Sequence, residues 1–277
     1  MKHLSQHKNH PKTLTLTVMS TKGGVTKSTN VANIAAFCAE CGIKTLMVDT
    51  DVQPTLSSYY NLNYSAPKGL FEFLINKQTD KSQIISQTVF DNLDILQSND
   101  PTDAITTHLR NAPDGILRFN YLLKSICEDY DLVIIDTRGT RGITVEMSIL
   151  ASDLILSPLK PELLSAREFM RGTLGLYAQL EVFKMHGFEL PPVKAVVNCL
   201  DNTNDAKQVV RSLTELFQQS ENNNIELLDF NIPARVAYRE AASLALPIHL
   251  HNKKEKENIR TLCSLIFPQW KNKFQKI

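Results

Sequence analysis

The sequence predicts an α/β fold: a single doubly wound, mostly parallel sheet with helices on both of its faces. Three observations carry this expectation. Short apolar runs recur along the chain at strand length, stretches with helical spacing separate them, and a glycine-containing turn joins the first run to the first helix. Leu14 to Met19 alternates apolar and β-branched residues and stops at that turn. Thr29 to Cys41 follows, with Val31, Ile34, Ala35 and Cys38 at helical spacing and Gly42 in a C-cap position. Residues 44–49, 132–136, 153–156 and 193–198 read as further buried strands, and helices are expected over 114–128, 162–185 and 204–219.

No internal repeat or long linker divides the chain, and residues 221–224 read as a loop rather than a boundary. The expected organisation is a mobile basic N-terminal tail over residues 1–12 and a single domain over 13–277. With 43% hydrophobic and 21% charged residues, the 277-residue chain has an ordinary folded make-up, which excludes wholesale disorder. No apolar run approaches the roughly 18 residues needed to span a bilayer, and no secretory signal is expected from the first ten residues. Five cysteines argue against a disulfide framework and for a reducing compartment, so a cytoplasmic location is expected. The net charge of +1 hides an asymmetry: residues 1–12 carry +3 and residues 251–277 carry +5, leaving −7 between them. Such basic ends suit either an anionic partner or plain solvation.

The segment richest in chemistry is Ser20 to Thr29, between the first strand and the first helix. A loop there sets backbone N–H groups and a helix N-terminus around an anion. Gly23 and Gly24 permit the close backbone approach, Lys27 is expected to reach β- and γ-phosphates, and the Ser28 hydroxyl to ligand Mg²⁺. The general phosphate-loop template is not met, because Thr21 and Thr26 stand at its two glycine positions.

Lys22-Gly-Gly-Val-Thr-Lys-Ser28 resembles the deviant Walker A motif of the ParA/MinD ATPases. Three further segments agree in order. Val48 to Pro54 resembles the A′ motif, Asp131 to Asp136 resembles Walker B, and Ile232 to Ala241 resembles the late Ile-Pro…Glu-Ala segment of partition ATPases. The run through Tyr59 is most similar to ParA proteins of plasmids and integrating mobile elements. The resemblance spans residues 13–250 and implies a P-loop NTPase of deviant Walker A type that uses ATP and Mg²⁺.

It also implies a role for each matching residue. Lys22 would reach across an ATP-sandwiched homodimer to the neighbour's phosphates, and Asp51 would orient or deprotonate the attacking water. Residues Lys22, Gly23, Gly24, Val25, Thr26, Lys27, Ser28 and Thr29 would cradle the phosphates, with Asn198 and Pro233 flanking the adenine. Ser28, Asp136 and Asp49 would hold the metal, the two acids through water. As partners, the resemblance implies non-specific DNA and a ParB-like centromere-binding adaptor, at the nucleoid.

Two departures from the family pattern stand out. Thr26 replaces a glycine, so either the loop keeps a negative φ there or nucleotide affinity is reduced. Arg138-Gly139 replaces the usual Pro-Pro after Asp136, which brings Arg138 and Arg141 near the γ-phosphate or a partner. Two rival functions are carried forward. Asp136-Thr-Arg-Gly139 with Asn198-Cys-Leu-Asp201 fits GTPase signals, although no Lys follows Asn198. Ile259, Leu262, Cys263, Ile266, Phe267 and Trp270 fit a MinD-like membrane-surface helix, or a core-packed last helix ended by Pro268, which is the expectation here.

DNA contact is expected from Lys207 and Arg211, from Arg235 and Arg239, each pair sharing a helix face, and from Lys253, Lys254, Lys256 and Arg260. Cys38 and Cys41 are expected to pack rather than to bind metal, and Cys127 and Cys199 to hold no cluster. His3, His7 and His10 belong to the tail.

Overall fold

A computed structural model describes residues 12–20, 24, 26–219 and 224–277. The strands are β1 (Leu14–Val18), β2 (Thr45–Asp49), β3 (Leu62–Tyr64), β4 (Ile85–Thr88), β5 (Leu93–Leu96), β6 (Leu132–Asp136), β7 (Leu154–Leu159), β8 (Val193–Leu200) and β9 (Ile225–Pro233). The first helices are α1 (Lys27–Glu40), α2 (Leu70–Leu74), α3 (Lys81–Ile84), α4 (Ala104–Asn111), α5 (Gly115–Ile126) and α6 (Ile143–Leu150). They continue as α7 (Leu163–Leu180), α8 (Asn204–Gln218), α9 (Val236–Ser243), α10 (Ile248–His251), α11 (Lys253–Ile266) and α12 (Lys271–Phe274).

Among the described residues the strands form one nine-stranded sheet in the order β3-β4-β5-β2-β6-β1-β7-β8-β9. From β5 to β9 all neighbours are parallel, and β3 and β4 add an antiparallel edge. The chain leaves β1 toward β2 on one side and later fills β7, β8 and β9 on the other. The C-terminal end of β1 is therefore a topological switch point, where such sheets open a crevice.

The strands read as continuous apolar runs because both faces are covered. Leu46, Val48, Val133 and Ile135 pack under α2, α4, α5 and α6. Their neighbours Met47, Leu132 and Ile134 point the other way, beneath α1 and α11. Each such side chain contributes about 1.5–3 kcal/mol relative to exposure.

Three boundaries differ from expectation. Helix α1 begins at Lys27, so Lys27 and Ser28 lie on the helix itself. Helix α7 stops at Leu180, and residues 181–186 form a tighter 3₁₀ segment ended by Gly187 at φ +81°. Strand β7 runs on through Pro158 to Leu159. β1 pairs with β7 only as far as Leu156, so the missing Pro158 N–H interrupts no bond to β1. The loop expected at 221–224 lies outside the described residues up to position 223, as do His3, His7 and His10.

Helix α11 packs inward. Ile259, Leu262, Cys263, Ile266 and Phe267 are all buried in the cluster that holds α1, and Trp270 packs partly against it. Helix α11 ends just before Pro268. Cys38 and Cys41 are free thiols buried at the end of α1, and Cys38 lies beside Cys263 of α11. No group of three metal-ligating side chains occurs among the described residues. None of the described helices is long and apolar enough to cross a membrane.

Helix α10 ties the C-terminal segment to α1: the Ile248 N–H donates to Asn33 Oδ1 at 2.7 Å, and His249 Nε2 lies 2.6 Å from Glu40 Oε2. Lys256 Nζ approaches the other Glu40 oxygen at 3.2 Å. Burial pushes the His249 imidazole down to about 4, against the pull of Glu40. An exposed histidine titrates near ~6.5, so between these values the folded chain binds fewer protons than the unfolded one. Stability is therefore full above pH ~6.5 and falls as acid is added toward pH ~4. Denaturant titrations are expected to give about 1–2 kcal/mol less unfolding free energy near pH 5 than near pH 7, a difference that shrinks in His249→Phe.

Candidate functional site

The site forms where β1, β2 and β6 end and α1 begins. Lys22, Gly23 and Val25 lie outside the described residues; Gly24 has φ +73° and Thr26 φ +56°. The loop thus does not keep a negative φ at Thr26, contrary to the first of the two alternatives. A β-branched residue occupies the left-handed region at a cost of roughly 1–2 kcal/mol. Its hydroxyl does not cap the helix. Instead Thr26 Oγ1 accepts a hydrogen bond from Asn198 Nδ2 at the end of β8, which pins the loop to the far side of the sheet. The first turn of α1 carries no acid and no side-chain cap, so its N–H groups are directed at whatever lies beyond.

Below that turn sits a buried charge cluster. Asp49 and Asp136 end adjacent parallel strands in register with one another. Ser28 Oγ donates to Asp136 Oδ2 at 2.5 Å, while the buried Asp136 Oδ1 has no hydrogen-bond partner among the described residues. Burial, reinforced by Asp49, pushes Asp136 up to about 8 against Ser28 and Lys27. Lys27 is itself buried, and burial lowers its ammonium pKa against the pull of Asp136 and Asp51. An unmet carboxylate oxygen next to a serine hydroxyl at a helix N-terminus is a donor set that fits a hard divalent cation, whose charge would also return Asp136 to its ionised form.

Asp49 does different work. Its Oδ2 accepts from both the N–H and the hydroxyl of Ser57, each at 2.8 Å, and its Oδ1 accepts from the Asp51 N–H at 3.1 Å. Burial still raises it to about 6, against these Ser57 and Asp51 bonds. Asp49 therefore braces the loop that carries Asp51. Asp51 is half-buried, and Ser98 Oγ holds its carbonyl at 2.7 Å. Ser57 carries no motif signal of its own in the sequence, although it lies between the A′ motif and Tyr59.

Two cavities meet at the start of α1. One, of about 600 Å³, is lined by Gly24, Lys27, Ser28, Asp51, Asp103 and Arg138 among others. The second, of about 410 Å³, is more apolar and is lined by Asn30, Asn198, Ile232, Pro233, Arg235 and Tyr238 among others. Thr26 and Thr29 border both. Asn30 is buried with its Nδ2 unpaired among the described residues, on the wall of the second cavity. The structure thus brings Gly24, Thr26, Lys27, Ser28, Thr29 and Asp51 to one chamber and Asn198 and Pro233 to the adjoining one.

A family profile described as an AAA domain matches residues 13–185, more than half of the chain. The chromosome-partitioning ATPase Soj of Treponema pallidum is 27% identical over 239 residues, 84% of this chain and 88% of that one. This chain is a ParA/MinD-family ATPase. An uncharacterized protein of Methanocaldococcus jannaschii is 31% identical over 157 residues, 54% of this chain, and only 60% of that protein's length is covered. A Cyanothece McdA–ATP complex shares the fold, with a TM-score of 0.76, 18% identity, and coverage of 91% of this chain and 95% of that one.

The basic residues of this ParA/MinD-family chain divide into groups. Lys207 and Arg211 are exposed on α8, and Lys253 and Lys254 are exposed at the start of α11. These helices cover opposite faces of the sheet, so the two pairs do not share one surface of a chain. Lys256 is paired to Glu40, while Arg260 bonds Glu257 and the Phe274 carbonyl. Arg235 and Arg239 do not share a helix face as expected: Arg235 precedes α9, its guanidinium lies 3.7 Å from Glu255, and both arginines line the apolar cavity. Helix α7, stacked on α8 through Phe169 and Phe217, adds the exposed Arg167 and Arg171. Arg141 turns away from the charged cavity. Its Nη2 donates to the Gly172 carbonyl at 2.6 Å, against a helix surface that Gly175 leaves open.

Thr26 offers a clean test of the loop. Thr26→Val keeps the strained branching but loses the bond from the Asn198 amide, with an expected loss of about 0.5–1.5 kcal/mol. Thr26→Gly relieves the left-handed residue while losing the same bond, and is expected within about 1 kcal/mol of the parent. Urea unfolding of the three proteins, compared side by side, checks the order.

Proposed function

We propose that this ATPase is a DNA-partition protein of the ParA type: it binds ATP with Mg²⁺, dimerises, binds DNA non-specifically in that state, and is released by slow hydrolysis. The reading assigns residues 13–277 to one ParA-like nucleotide-binding domain working in the cytoplasm at the nucleoid, with a ParB-like adaptor as stimulating partner. Its main support is the pair of cavities joined across Thr26 and Thr29, one polar and charged, one apolar, which match the two ends of a nucleotide.

In that reading the uncapped N–H groups of α1 and the Lys27 ammonium receive the phosphates. Ser28 and Asp136 hold the metal, which when bound neutralises charge on the β- and γ-phosphate oxygens. Asp51 takes the proton of the attacking water, oriented by the Asp49–Ser57 brace. Lys22 contributes across the dimer, as the family resemblance implies. Asn198 and Pro233 border the base, with Ile232 and Tyr238 supplying apolar walls.

For DNA, the exposed Lys207 and Arg211 of α8, together with Arg167 and Arg171 of α7, are the favoured phosphate contacts, with Lys253 and Lys254 as a separate set. A membrane-surface role would need the 259–267 stripe at the surface, whereas its apolar residues are buried. A GTP reading draws support from Asp201, which lines the base cavity near Asn198.

Sizing chromatography with ADP and then ATP, each with Mg²⁺, tests the cycle. ATP is expected to give a dimer, and Lys22→Ala to bind ATP yet stay monomeric; a constant monomer that takes up no ATP overturns the reading. GTP is expected to compete poorly for a fluorescent ATP analogue. Ser57→Ala is expected to lower kcat about tenfold with nucleotide affinity kept, because Asp51 loses its support. ATP-dependent duplex binding is expected to weaken steeply with salt and in Arg211→Glu, as filter retention can measure.

A further inference from the structure

The loop after β6, residues 137–142, is held by its two arginines to helices on either side. Arg141 anchors it to α7 through the Gly172 carbonyl. Arg138 anchors it toward α4: Nη1 donates to Asp103 Oδ2 at 3.1 Å, Nη2 to Asp103 Oδ1 at 2.6 Å, and Nη2 also to Thr106 Oγ1 at 3.2 Å. The two anchors differ in where they stand. Arg138, Gly139, Thr140 and Asp103 line the charged cavity together with Lys27 and Asp51, whereas the Arg141 contact lies outside it.

Three further observations bear on Arg138. Its Nε is buried and has no hydrogen-bond partner among the described residues, so the guanidinium carries an unused donor. Asp103 sits immediately before α4 at φ +54°, a left-handed conformation held in place by its contacts. Asp103 Oδ1 also accepts from Thr106 Oγ1 at 2.6 Å, so the carboxylate keeps a partner at the helix N-terminus if the arginine leaves.

We propose that the Asp103–Arg138 ion pair is a latch that reads the terminal phosphate: a nucleoside triphosphate in the charged cavity competes with Asp103 for the Arg138 guanidinium and releases α4, whereas a diphosphate leaves the pair closed. The inference rests on the nucleotide reading above. Its physical basis is the match between the forked guanidinium and either a carboxylate or a phosphate. A triphosphate adds negative charge to a chamber already lined by Asp51 and Asp103, where Lys27 and Arg138 are the cations among the described lining residues. That charge repels Asp103 and attracts Arg138, so the field favours the exchange of partners that the fork geometry permits. The released helix carries the signal outward, because α4 packs on α5 and α6.

The test compares Mg²⁺–ADP with a magnesium complex of a non-hydrolysable ATP analogue on the full chain, by competition binding and amide hydrogen exchange. Asp103→Asn keeps the side chain's size and removes the competing charge. It is expected to tighten analogue binding about tenfold, with ADP binding within about twofold of the parent. Arg138→Lys, which loses the fork but keeps the charge, is expected to lose most of the preference for analogue over ADP. In the parent protein the analogue, but not ADP, is expected to speed exchange in residues 104–111. If the parent binds both nucleotides and the two variants shift both alike or neither, or residues 104–111 exchange equally with either nucleotide, the latch is overturned while the nucleotide reading stands. A parent that binds neither nucleotide overturns the reading and the latch together.

Discussion

Two acids that end neighbouring parallel strands, Asp49 and Asp136, stand opposite one another in a place almost free of water. Burial raises both carboxyls, and the neighbouring Asp49 adds to the rise of Asp136. The surrounding structure divides them. The Ser57 turn and the Asp51 N–H use up Asp49, while Ser28 takes only one oxygen of Asp136. The ammonium that offsets Asp136 comes from Lys27, and it is there because the crossover after β1 sets the first turn of α1 over the strand ends. The helix position, the loop carrying Asp51 and the carboxylate oxygen of Asp136 left unmet among the described residues all belong to that arrangement.

The same economy governs the loop above. A threonine in a glycine's place is tolerated because its hydroxyl is tied to Asn198, across the start of α1 from the charged cavity. That bond joins the edge of the apolar cavity to the lip of the charged one. The Thr26–Asn198 contact at the entrance of α1 therefore couples the two chambers.

Much of the fold was legible because its signals are local. Continuous apolar runs such as Leu132–Asp136 have no solvent face, and that alone implies helices on both sides of a parallel sheet. The antiparallel edge escaped notice because Ile85–Thr88 and Leu62–Tyr64 are short and partly polar, and their pairing depends on partners far along the chain. The extent of β7 was hidden by Pro158, whose tolerance depends on where β1 stops. In the site, the motif residues were readable from spacing, whereas Asp103 was not, since only folding brings it to Arg138 across 35 positions. The surface cations were the least legible. Charge says nothing of pairing: Lys256 and Arg235 are each engaged by a carboxylate that only the packing of α1, α9 and α11 brings within reach, whereas Arg260 pairs with Glu257 on its own helix.

The C-terminal segment has a practical meaning for anyone handling the protein. Phe274 lies within three residues of Ile277, is fully enclosed, and its ring centroid is 5.7 Å from that of Phe37 in α1. Lys273 reaches the Gly42 carbonyl at the far end of the same helix. Trimming residues 268–277 is therefore not a harmless deletion; it pulls a plug from under α1, and an enclosed phenylalanine is worth about 3–5 kcal/mol. An epitope tag or reporter fused there needs a spacer long enough to leave that ring seated.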